Sequence, residues 1–102
     1  MTSPVIVLNE ARRLQLAKKL EEYLGRLNSL RAPEVQMDTI CKITVLERLL
    51  RDGLVNTWEL SREMATNYGL GFDAHCFTNA CGVIEDYCKT GGTTISGGTG
   101  LS

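Results

Sequence analysis

The apolar positions of this chain recur mostly at helical spacing. Leu16, Leu20, Tyr23, Leu27 and Leu30 follow one another at steps of four, three, four and three. That is the seam of an amphipathic helix over residues 10–30, and Leu24 and Ala17 broaden it. The opposite face carries Arg12, Lys19, Glu22 and Arg26 and should be wet. Leu14 lies outside the seam and needs a contact of its own. Asn9 can cap the start, with Glu10 in the first turn. The seam lasts about two heptads, too short for a sustained coiled coil.

A second helix is expected from Pro33, where a missing N–H does no harm, to Asp52, with Gly53 as its stop. Its apolar residues fall on two arcs. Ile43, Leu46 and Leu50 form one; Met37, Cys41, Val45 and Leu49 form the other. Together they cover more of the circumference than one packing face consumes. The helix should therefore be central, touched by neighbours on two sides or by another subunit.

Asn56-Thr57-Trp58-Glu59 reads as a capping box opening a third helix to Tyr68, with Gly69 as the stop. Leu60, Met64, Ala65 and Tyr68 are its expected inner face. Asp73 caps a fourth helix over 74–89, with Phe77, Ala80, Cys81, Ile84, Tyr87 and Cys88 on one face. The expected fold class is all-α. It is a small four-helix domain over 1–90 in which a helical hairpin, helices three and four, packs on two longer helices. Residues 1–9 form a flexible N-terminal arm, and 91–102 a flexible Gly/Thr/Ser-rich tail. A weaker option pairs Thr93-Thr94-Ile95 with Val5-Ile6-Val7 as short strands. The expected core is Leu20, Leu24, Leu27, Ile43, Leu46, Leu50, Leu60, Met64, Phe77, Cys81 and Ile84.

Composition narrows the function classes. Of 102 residues, 43% are hydrophobic and 23% charged, which excludes a disordered or collagen-like chain. A formal charge of −1 gives no bulk attraction to nucleic acid or anionic membrane. The longest early apolar run, Val5-Ile6-Val7-Leu8, is far below the roughly 18–20 residues of a membrane span and lacks signal-peptide flanks. A cytoplasmic location is expected, so the four cysteines are expected as thiols.

Three chemistries are weighed against a bland interior. His75, Cys76, Cys81 and Cys88 invite a metal site, but their spacing is too wide for paired zinc ligands, and His75 falls on the wet face. No metal and no cofactor are expected. Cys76, in the first turn of its helix, is the candidate reactive thiol of a redox or metal-responsive reading. A helix-turn-helix DNA binder is the second alternative. Residues 57–88 have the outline, and Arg12, Arg13, Lys18 and Lys19 on the first helix would touch phosphate. The fourth helix, however, offers few groups for base edges. An enzyme is not expected: one histidine and no nucleophile or phosphate-loop motif leave it without machinery. The favoured reading is a non-enzymatic adaptor or regulator that binds another protein or itself as a homodimer. Its contact residues are expected to be Met37, Cys41, Val45, Leu54 and Trp58.

Overall fold

The computed structural model describes residues 4–29 and 33–90. The chain is an all-α domain of four helices, α1 (Arg13–Leu27), α2 (Pro33–Asp52), α3 (Thr57–Tyr68) and α4 (Ala74–Thr90). Two three-residue strands, β1 (Val5–Val7) and β2 (Leu54–Asn56), tie the N-terminal end to the α2–α3 junction. The helix limits lie within three residues of those read from the apolar pattern.

The caps explain the limits. The Asn9 carboxamide accepts from the Ala11 N–H and opens a 3-10 turn over Glu10–Arg12 that leads into α1. The Asn56 carboxamide accepts from the Glu59 N–H, the first half of the expected box. The Asp73 carboxylate accepts from the N–H groups of His75 and Cys76. Gly53 ends α2 with φ +82° while its N–H bonds to the Leu49 carbonyl, a backbone state that side chains disfavour.

α2 is the central element, packed extensively on both α1 and α4. Both of its apolar arcs are consumed within the domain: Met37, Cys41, Ile43, Val45, Leu46 and Leu49 are all buried. This corrects the assignment of Met37, Cys41 and Val45 to a partner surface. The expected hairpin of helices three and four packs on the longer pair through α4. α3 meets α4 only narrowly, because α4 lays its apolar face on α2 instead. Leu60 and Met64 are the buried residues of α3, whereas Ala65 and Tyr68 are exposed. Arg48 of α2 adds a bidentate pair with Glu63 of α3, at 2.9 and 3.2 Å.

Val5–Val7 takes strand form in place of the expected flexible arm. It pairs antiparallel with Leu54–Asn56, with Ile6 opposite Val55. These two side chains point inward and are almost fully enclosed, while Val7 and Leu54, opposite each other, stand outside. The ribbon is bracketed by Leu8 N–H to Gly53 O and Thr57 N–H to Pro4 O. Asn9 adds a bond from its side-chain amide to the Cys88 carbonyl, so the N-terminal segment is held at both α3 and α4. The Thr93–Ile95 pairing and the tail over 91–102 lie outside the described residues.

In α1 the seam holds at Leu16 and Tyr23, buried, and at Leu20 and Leu27, partly buried. Leu24 is exposed and is not part of the core. Leu14 has found no inner contact and is 71% exposed.

Candidate functional site

Where the N-terminal end of α3 passes β1 and the middle of α4, the surface is indented. The cleft holds about 190 Å³. Its floor is Ile6, Phe77 and Cys81; Pro4 and Trp58 form one wall and Gly82 the other. Ser61 and Thr78 contribute hydroxyl groups to the lining, and among the described residues no charged side chain lines it.

Each part is placed by a local cause. Asn56 starts α3 so that Trp58, in the first helical turn, falls on the outer side of the junction. The Thr57 hydroxyl and N–H both donate to the Pro4 carbonyl, which holds Pro4 against the first turn of α3. Strand register turns Ile6 inward beneath it. Gly82 lies in the interior of α4, where glycine costs about 1 kcal/mol of helix stability relative to alanine. A Cβ built there meets nothing within 4 Å. Because that glycine carries no side chain, the cleft stays open on the α4 side.

Trp58 is 71% exposed although it is the only tryptophan of the chain. Leu54 and Val7 are exposed on the other face of the ribbon, away from Ile6. A large apolar side chain left exposed on the wall of a concavity marks a contact surface more often than a scattered one does. By volume, a cavity of roughly 150 Å³ takes up benzene. The cleft therefore has room for one branched aliphatic or single-ring side chain.

Of the five expected contact residues, Trp58 lines this cleft, Leu54 is exposed on the opposite face of the ribbon from Ile6, and Met37, Cys41 and Val45 lie in the core. Sequence reasoning missed Pro4, Ile6, Phe77 and Gly82 as cleft residues. The glycine within an otherwise regular amphipathic helix was the available signal.

Three of the four thiols, Cys41, Cys81 and Cys88, are buried. Burial, first, pushes the Cys41 and Cys81 thiols up to about 12, and it raises Cys88 as well. Cys41 also lies 3.7 Å from the Met37 sulfur. Cys76 is half-buried, and the α4 N-terminal dipole expected to activate it is occupied by the Asp73 carboxylate. That carboxyl group is held below its ordinary range by the Cys76 N–H first and the His75 N–H second. Among the described residues, no group of three or more His, Cys, Asp or Glu side chains is placed to hold a metal ion.

The basic strip also comes apart. Arg13 forms a bidentate pair with Glu10 and donates to the Leu50 carbonyl. Lys19 pairs with Glu22 and sits over the Tyr87 ring, and Arg12 is half-buried with its Nε enclosed. Lys18 is the member that stands fully outward.

No helix among the described residues is long and apolar enough to cross a membrane. No family model matches the chain, and no curated protein or solved structure matches it significantly.

Proposed function

We propose that this protein is a non-enzymatic binding module that acts in the cytoplasm by taking an apolar side chain of a protein partner into the cleft beside Trp58. One observation carries the reading: the largest apolar side chain of the chain stands 71% exposed on the wall of an uncharged cleft. Tryptophan is the residue most enriched where interfaces concentrate their energy, since it combines large contact area with few rotatable bonds.

The test is a photo-reactive side chain placed at Ser61, within the cleft, in the full chain in cells. A discrete protein adduct is expected with the open cleft. Gly82→Leu, which fills the cleft from a position with free space around it, should abolish that adduct. Failure to form an adduct, or an adduct pattern indifferent to Gly82→Leu, overturns the reading.

A further inference from the structure

We propose that the outer edge of β1 docks a third strand, and that its occupant is Thr93-Thr94-Ile95 of the same chain, running antiparallel to β1. The edge follows from the ladder. Leu8 N–H bonds to Gly53 O and Thr57 N–H to Pro4 O, so Ile6 and Val55, midway between them, form the hydrogen-bonded pair of the ribbon. Val7 and Leu54 are the next pair, and pairs alternate, so the N–H and carbonyl of Val7 turn away from β2. No described residue bonds to either group. Val5-Ile6-Val7 also carries no charged side chain of the kind that keeps a strand edge closed. Such an edge is a template for one more strand.

Where α4 ends selects the occupant. β1 and α4 run side by side in the same direction: Ile6 shares the cleft floor with Phe77 and Cys81, and the Asn9 side chain holds the Cys88 carbonyl at 3.1 Å. The chain therefore leaves α4 at Thr90 beside the far end of β1. Of the twelve residues that follow, Thr93-Thr94-Ile95 are the consecutive β-branched ones, and Gly91-Gly92 before them suit a reversal of direction. Val7 lies two residues, about 7 Å of strand, from Asn9. Four extended residues beyond Thr90 span up to about 14 Å, which is reach enough. A segment that starts there and returns along β1 is antiparallel to it. The apolar pattern sets the register, with Ile95 beside the inward Ile6 and Thr94 beside the exposed Val7. Val7 and Thr94 then exchange N–H···O bonds, and the sheet runs β2, β1, third strand. The tether holds this strand at an effective concentration on the order of millimolar, which an extended segment of another protein would have to exceed.

The experiment is NMR of the isotope-labelled full chain, with circular dichroism checking that each variant keeps its helices. A nuclear Overhauser contact is expected between the Hα atoms of Ile6 and Ile95, which form a closely spaced pair in this register. The Val7 amide should exchange slowly with solvent. Thr94→Pro removes one donor of the Val7–Thr94 pair and has no place in a central ladder. It should abolish the Ile6–Ile95 contact and speed Val7 exchange at least about tenfold, while the Val55 amide, bonded within the ribbon, keeps its rate. Thr94→Val keeps the backbone groups and the strand preference and should preserve both signals. A Val7 amide that already exchanges as fast as in Thr94→Pro, with no Ile6–Ile95 contact, overturns the proposal and leaves the edge to an extended segment of another protein. Val7 protection that rises with protein concentration and survives Thr94→Pro overturns it in favour of β1 pairing with β1 of a second copy. An Ile6–Ile95 contact found only between labelled and unlabelled chains overturns it as well, because the strand then comes from another molecule.

Discussion

α2 and the start of α3 differ in what they do with apolar residues. α2 carries two apolar arcs, and every described member is wholly or partly buried, shared between α1 and α4. α3 carries a narrow stripe, Leu60 and Met64, and leaves Trp58 outside. By residue count α2 has the surplus; by exposure α3 has it. An apolar arc wider than one packing face therefore signals a central helix before it signals a partner. A contact surface is better sought where a large side chain stands at an element's end, because a helix end has neighbours on fewer sides.

That contrast can be broken most forcefully in the core. Leu49→Ala, at a fully enclosed position of α2, should lower the unfolding free energy by about 2–5 kcal/mol, as cavity-forming substitutions do. Trp58→Ala should stay within about 0.5 kcal/mol, as exposed substitutions do. Urea denaturation of both variants measures the difference, and comparable losses would show that Trp58 is a packing residue.

An intermediate effect should appear in alkali. Cys41 and Cys81 remain protonated in the folded chain up to about 12, whereas thiols ordinarily ionise near 9. The unfolded chain therefore releases these protons first. Their contribution is fully present below pH 9 and is lost as pH rises towards 12. Stability measured across that interval should fall. It should fall less steeply for Cys41→Ala and Cys81→Ala, while Trp58→Ala should leave the slope unchanged.

The smallest effect concerns how the exposed corner is positioned. Asn56→Ala removes the acceptor for the Glu59 N–H and should cost about 1 kcal/mol. It should also shift the fluorescence of Trp58, the sole tryptophan, by loosening the first turn of α3. An unchanged spectrum would mean that the Thr57–Pro4 bonds alone hold the junction.

Much of the architecture was legible before any fold was known. The seam of α1, the inner face of α4 and the stops at Gly53 and Gly69 follow from periodicity, caps and backbone preferences, all local in the chain. The β1–β2 ribbon was only half legible: Val5–Val7 could be read as a short strand, but its partner could not. Val5–Val7 is short and finds its partner about fifty residues away, and Leu54–Asn56 reads as a loop between helices. The candidate site was partly legible. Trp58 was named, but the cleft wall contributed by Pro4, Ile6 and Gly82 depends on the strand register and on where α4 lies.

The sequence by itself determined four helices, where they begin and end, and which side of most of them is apolar, since those properties depend on residues within a few turns of one another. Only the tertiary structure decided that α4 packs on α2 rather than on α3. It alone also placed both arcs of α2 in the core, left Leu14 and Leu24 in water, and set an open cleft beside Trp58. Burial is assigned by competition among faces for a limited interior. Its outcome depends on how all the elements fit together, which no single segment encodes.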